Sequence, residues 1–233
     1  MIYVIGDIHG RKDKYDEMLE KIKPTDEDAV FVLGDVIDVG DDSIALLQDM
    51  MYRPFIYPVL GEREYMAKKI LPLIRSADSI EEAKALLEGE NLELFEKWLS
   101  MGSEKTVKDF LSLDDEGKES ILDYLTEFQP YEELDVGGRT FVLVHAGIRN
   151  FDPIKPLEDY DDEDFVSEAA DYTRVYFRGN TFLVTGHTPT VAIDKKYFGK
   201  VYAHKSHLAV DCGAAFGGRL ACVCLDKMKL YYC

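Results

Sequence analysis

Apolar residues fall along the chain in two rhythms. Ile2–Ile5 is a short β-branched run that stops at Gly6, and residues 12–22 then set Tyr15, Met18, Leu19 and Ile22 on one helical stripe. Ala29–Leu33 is a second apolar run ended by Gly34. Ile44–Met51 reads as a helix, and Phe55–Leu60 as a third strand ended by Gly61. Each run passes through a glycine into a polar cluster, the pattern of βα units in a parallel sheet.

From about residue 62 to 128 the rhythm is helical, with Ser79-x-x-Glu82 as a capping box before Ala83–Leu87. This stretch reads as a helical insertion within one domain spanning 1–233, covering one side of the sheet. An isolated tryptophan in a helical stripe belongs to packing, so Trp98 is expected in the core rather than in chemistry. After the insertion the texture turns to strand. Glu133–Val136 and Thr140–Val144 flank Gly137-Gly138, a hairpin signal. Phe182–Thr185, Leu208–Asp211, Leu220–Leu225 and Lys229–Tyr232 follow, with Gly217-Gly218 and Asp226-Lys227 as turns of a C-terminal meander. The class is α/β.

Composition changes this picture little: 46% hydrophobic and 31% charged residues suit a globular chain. The net charge of −18 argues against sequence-independent nucleic-acid binding, because phosphates would be repelled. The acidic runs Asp26-Glu27-Asp28 and Asp161-Asp162-Glu163-Asp164 read as solvated surface. No apolar run approaches bilayer length, and the N-terminus lacks the basic and apolar regions of a signal peptide. Cys212, Cys222, Cys224 and Cys233 fit buried free thiols in a reducing compartment, so a cytoplasmic protein without membrane partners is expected.

The candidate chemistry sits where the strands end. Five Gly-flanked motifs stand there: Gly6-Asp7-Ile8-His9-Gly10, Gly34-Asp35-Val36-Ile37-Asp38-Val39-Gly40, Gly61-Glu62-Arg63-Glu64, His145-Ala146-Gly147 and Gly186-His187-Thr188. The first three follow parallel strands, where open α/β sheets place ligands. Asp7 and His9 can reach one metal from a tight turn, Asp35 can bridge two through its two oxygens, and His145 and His187 can complete the second site. Mixed imidazole and carboxylate ligation suits Mn, Fe or Zn, with Mn preferred here, and two such ions can activate a water for in-line attack at phosphorus. His204 and His207 lack such a setting and read as surface or supporting residues.

This order of motifs resembles the phosphoprotein phosphatase family of calcineurin-like metallophosphoesterases, in the bacterial and phage branch that includes the lambda phage phosphatase. Trp98-Leu99-Ser100-Met101-Gly102-Ser103-Glu104-Lys105-Thr106 is similar to that branch's W-L-x-N-G-G-x-x-T element, and Asp211-Cys212-Gly213-Ala214-Ala215-Phe216-Gly217-Gly218-Arg219-Leu220 to its D-T-G-A-x-x-G-G-x-L element. The resemblance implies a four-layer β-sandwich flanked by helices, two divalent metals, and hydrolysis of a phosphorylated substrate, either a phosphoprotein or a small phosphate ester. Asp7 and His9 would hold the first metal, Asp35 would bridge, and His145 and His187 would hold the second.

The sequence departs from the family pattern at three positions. The family's G-N-H-E reads Gly61-Glu62-Arg63-Glu64, so the metal-ligating Asn becomes Glu62. Glu62 is expected as a sixth ligand; its other reading is a first-turn acid that favours the helix dipole without touching metal. The leaving-group acid, a histidine oriented in the family by the counterpart of Asp38, becomes Arg63. A guanidinium binds phosphate but cannot give up a proton near neutral pH. The phosphate-clamp arginine becomes Val39, while Arg174 in Asp171-Tyr172-Thr173-Arg174 matches a second clamp. Three functions remain open: a phosphatase-like enzyme weakened by these changes, a silent metal- or phosphate-binding relative, and a dinucleoside polyphosphate hydrolase.

Overall fold

The computed structural model describes residues 1–233. In chain order the elements are β1 (Ile2–Ile5), α1 (Lys12–Ile22), β2 (Ala29–Val32), α2 (Ser43–Met51), β3 (Ile56–Pro58) and α3 (Glu62–Ile74). The insertion continues with α4 (Ile80–Ala85), α5 (Gly89–Trp98), α6 (Glu104–Leu111) and α7 (Asp115–Thr126). Then come β4 (Tyr131–Val136), β5 (Arg139–Val144), α8 (Asp162–Val166), β6 (Thr181–Thr185), α9 (Thr190–Ile193), β7 (Tyr202–His204), β8 (His207–Ala209), β9 (Ala221–Cys224) and β10 (Lys229–Tyr232).

Two five-stranded sheets form, ordered β10-β9-β1-β2-β3 and β4-β5-β6-β8-β7. In the first, β1, β2 and β3 run parallel, and β9 joins the other side of β1 antiparallel. Strand alternation explains the layers. Val4, Phe31 and Leu33 point one way and meet Phe141, Leu143, Val184 and Leu208 of the second sheet in one buried cluster. Their neighbours Tyr3, Ile5, Val30 and Val32 point the other way and pack with Tyr15, Met18 and Leu47 of the covering helices. Each such buried side chain contributes about 1.5–3 kcal/mol. The result is a sandwich of two sheets flanked by helices, the architecture expected from the sequence.

The insertion covers the outer face of the first sheet. Phe95, Trp98, Phe110 and Ile121 belong to the same buried cluster as Tyr3 and Ile5. The Ser79 hydroxyl caps α4 by accepting from Glu82 N at 3.1 Å, as the capping signal implies.

Two expectations need correction. The segment expected as Leu208–Asp211 is β8, and it lies in the second sheet between β6 and β7 rather than in a C-terminal meander. Gly217-Gly218 therefore links the two sheets, and only β9 and β10 form the terminal hairpin. The sequence also hid β7, because its three residues carry no buried face. His207 is buried rather than at the surface: as part of an interior strand its ring stacks on Tyr172 at 5.0 Å, with Nε2 3.0 Å from Thr185 Oγ1. His204, on the edge strand β7, is exposed.

Candidate metal centre

The turns that leave β1, β2, β5 and β6 converge at one end of the sandwich. Asp7, His9 and Asp35 form one group in which a donor atom from each lies within 4.8 Å of the others, and Asp35, His145 and His187 form a second. Asp35 is common to both, which is what a bridging carboxylate requires.

Neighbouring backbone fixes the donor atoms. His145 Nδ1 lies 2.6 Å from Leu33 O and His9 Nδ1 lies 3.3 Å from Ile37 O. A carbonyl accepts only, so each Nδ1 carries the proton and each Nε2 lone pair is left for a ligand. His187 Nδ1 faces His145 Nε2 at 3.2 Å, and the His187 N–H donates to both oxygens of Asp7 at 3.1 and 2.9 Å.

The turns are tight and strained. His9, Asp35, Asp38, Val39 and His187 have φ between 45° and 73°, a left-handed backbone that non-glycine residues avoid. Such conformations cost about 1–3 kcal/mol each and cluster at functional sites. The turns after β2 and β3 also touch: a Cβ on Gly61 would lie 2.1 Å from Asp35 N, so only glycine fits.

Glu64 holds this region together. Fully buried, its carboxylate accepts from the N–H groups of Asp35 and Val36 at 2.8 Å and of Ile37 at 3.1 Å. The last residue of Gly61-x-x-Glu64 thus fixes the turn that presents Asp35. The sequence reading quoted that motif without giving Glu64 a role. Asp211 is a second residue missed; buried near Asp7, it accepts from Gly213 N at 2.8 Å.

The electrostatics describe a centre short of cations. Burial, with Asp211 and Asp35 close by, raises the Asp7 carboxyl well above its ordinary value. Burial likewise raises Glu64 to about 8 and Asp211 to about 7. Burial also works against ionisation of Asp35, but His145, His9 and Arg63 outweigh it and hold its carboxyl below the usual range. Burial lowers His9, and lowers His145 to about 4, so both rings are neutral at neutral pH. Imidazole nitrogens turned inward beside crowded buried carboxylates fit divalent cations.

Arg63 points toward this centre. Its Nε lies 3.6 Å from Asp35 Oδ2 and its backbone N–H donates to Asp35 Oδ1 at 3.0 Å. Its Nη1 donates to Met101 O at 2.7 Å and stands 3.9 Å from Asp38 Oδ2. Asp38 is fully buried, with its pKa raised by burial to about 6, and its Oδ2 accepts from Trp98 Nε1 at 2.7 Å. Trp98 lies in the core as expected, and its indole N–H also reaches Asp38.

Two expected site residues stand apart. Glu62 belongs to neither donor group; at the first turn of α3 its Oε1 accepts from Lys97 Nζ of α5 at 2.9 Å. Glu62 thus stands in the first turn of the helix and pairs with Lys97. Arg174 lies on the segment joining β5 to β6, donates to Phe151 O at 3.1 Å, and stacks over the rings of Phe151 and Tyr176. None of these partners is a metal-donor residue. Val39, 39% exposed, offers no charge where the family carries an arginine.

With the fold and the two donor groups in place, the class is clear: residues 1–218 match the model of the calcineurin-like phosphoesterases, and the chain belongs to that family. Solved structures share its fold at low identity. A proposed diadenosine tetraphosphatase is 17% identical, with a TM-score of 0.62 over 100% of this chain and 92% of that one. A cold-active protein-tyrosine phosphatase of a psychrophile Shewanella species is 14% identical, with a TM-score of 0.54 over 99% and 79%. A metallophosphoesterase from Sphaerobacter thermophilus is 16% identical, with a TM-score of 0.52 over 99% and 86%. No curated protein matches the sequence. No helix is long and apolar enough to cross a membrane.

Proposed function

We propose that this phosphoesterase hydrolyses phosphate esters or anhydrides whose leaving group departs without a proton, using two divalent metals, Mn by preference. The observation that carries this reading is the pair of donor groups sharing Asp35, with a guanidinium beside them instead of an imidazole. When bound, the metals supply a nucleophilic water and Lewis acidity. The chain supplies the rest. Asp7, His9, Asp35, His145 and His187 hold the cations, while Glu64 fixes the Asp35 turn. Arg63 neutralises phosphoryl charge, a role bidentate guanidinium geometry suits. The imidazoles beside Asp35, His9 and His145, are given to the metals, and neither the guanidinium of Arg63 nor Asp38 buried behind it replaces the missing proton donor.

The reading places the chain near the phosphoprotein phosphatases of the bacterial and phage branch, as one functional unit over 1–233, weakened by Arg63 and Val39. Its partner is a phosphorylated molecule rather than nucleic acid or membrane. Four unpaired cysteines suit a reducing, cytoplasmic setting. A dinucleoside polyphosphate meets the leaving-group condition as well as an aryl phosphate does.

The test compares an aryl phosphate, a dinucleoside tetraphosphate and a phosphoserine peptide at saturating Mn²⁺. The first two should be turned over faster than the peptide by about 10²–10⁴-fold, the value of general acid catalysis. Arg63→His, facing the retained Asp38, should narrow that gap. Equal rates on all three would mean that another residue delivers the proton; bound metal with no hydrolysis would favour a silent relative.

A further inference from the structure

Between α5 and α6 the chain widens into a π-type turn, Leu99–Ser103, broken at Gly102 with φ of 96°. Such turns interrupt the helical ladder and recur at functional sites. Four contacts tie this turn and the end of α5 before it to the residues around Arg63. Lys97 Nζ donates to Glu62, and Trp98 Nε1 donates to Asp38. Met101 O accepts from Arg63 Nη1, and Gly102 O accepts from Val39 N at 3.2 Å. The three positions that depart from the family pattern, Val39, Glu62 and Arg63, are thus each held by residues 97–102.

Free arginine side chains are rich in rotamer entropy, and a guanidinium held along one edge binds a second partner at less cost. Met101 O fixes one edge of Arg63. The Nε N–H on the other side is buried, has no hydrogen-bond partner, and lies 3.6 Å from Asp35 Oδ2. Asp38 Oδ2 sits 3.9 Å from Nη1, beyond hydrogen-bond reach, and accepts instead from the Trp98 indole at 2.7 Å.

We infer that residues 97–102 form a positioning element for Arg63, holding its unpartnered Nε edge toward Asp35 so that it receives a phosphoryl oxygen. The inference rests on the phosphoesterase reading for its ligand class, although phosphate binding can be measured without turnover. The contact uses Arg63 as a phosphate-binding residue; Trp98, Met101 and Gly102 act through it.

Two substitutions probe the element in the full chain loaded with Mn²⁺. Gly102→Ala strains the backbone alone, since a Cβ there would meet Val39 only at an ordinary 3.8 Å. Trp98→Phe keeps the ring and removes the N–H that occupies Asp38. Each should weaken inorganic phosphate binding, read by calorimetry, by roughly tenfold or more, the scale on which supporting partners tune a site. KM for an aryl phosphate should rise in parallel, with Mn²⁺ content unchanged and kcat little altered. In an Arg63→Ala background neither substitution should weaken phosphate binding further. Losses that add to that of Arg63→Ala, unchanged phosphate affinity in both variants, or a wild type that binds no phosphate would each overturn the inference. Absence of hydrolysis with this coupling intact would overturn only the enzymatic reading.

Discussion

Asp7, Asp35, His145 and His187 each stand within three residues of the end of a sheet strand, whereas Asp38, Val39, Glu62 and Arg63 are gripped by a turn some forty to sixty residues further along the chain. The first corner takes its geometry from parallel pairing: once β1, β2, β5 and β6 are in register, their turns must meet. The second takes its geometry from the insertion, and nothing in the sheet dictates where the Arg63 guanidinium points. On the proposed reading, cation binding and phosphate binding are therefore separable, each with its own scaffold.

The largest expected effect breaks the first corner. Asp35→Asn removes the one carboxylate shared by both donor groups and leaves Glu64 still holding the turn. Metal affinity should fall by more than about 100-fold, beyond the range expected for supporting partners. Calorimetric titration with Mn²⁺ measures it, and retention of two tightly bound ions would dissociate Asp35 from the centre.

A smaller effect comes from proton linkage in the metal-free protein. Glu64 rises from 4.5 to about 8, Asp211 from 3.8 to about 7 and Asp38 from 3.8 to about 6, and Asp7 is raised as well. Each keeps its proton to higher pH when folded than when unfolded. Below about pH 6.5 the lowered His9, His145 and His207 act in the opposite sense; from there to about pH 8 the folded chain binds more protons, and its stability falls as pH climbs through that window. Asp35 runs the other way, its contribution being complete above its unfolded value and lost only in acid. With EDTA present Tm should decline from about pH 6.5 to 8, by roughly 2–4 °C per kcal/mol lost. The rise in Tm on adding Mn²⁺ should grow over the same range. A metal-free Tm that stays level or increases would contradict the carboxylate crowding.

The smallest effect sharpens the boundary between the corners. Glu62→Gln removes one charge of a pair whose lysine is half exposed, so stability should change by about 1 kcal/mol or less. Mn²⁺ affinity should not move. A tenfold loss in that titration would return Glu62 to the metal, as the Asn-to-Glu replacement first suggested.

The sheet-end corner was legible because its residues lie in short Gly-bounded motifs, and a strand followed by Gly-Asp already says where the carboxylate will stand. The bridging place of Asp35 could be read from the same logic. The role of Glu64 was hidden because three backbone N–H groups recognise it only after the β2 and β3 turns interlock. Likewise Glu62 turns to Lys97, and the Trp98 indole to Asp38, across sequence separations of 35 and 60 residues. Both depend on how α5 crosses α3, which periodicity does not specify. The assignment of β8 to the second sheet escaped for a related reason: a short apolar run carries no label saying which of two sheets it will join.

The place of β1 in its sheet sets the order in which the molecule can assemble. Ile2–Ile5 pairs with β2 on one side and with Ala221–Cys224 on the other. During synthesis the strand that presents Asp7 appears long before its partner Ala221–Cys224, and one of its hydrogen-bonding edges stays open until that partner has been made. Pairings of such long sequence separation form late and slowly, and an open strand edge invites association with other chains in the interval. Nascent chains that stop between His187 and Ala221 should be prone to aggregate, and to hold metal poorly, even with every metal-donor residue already in place.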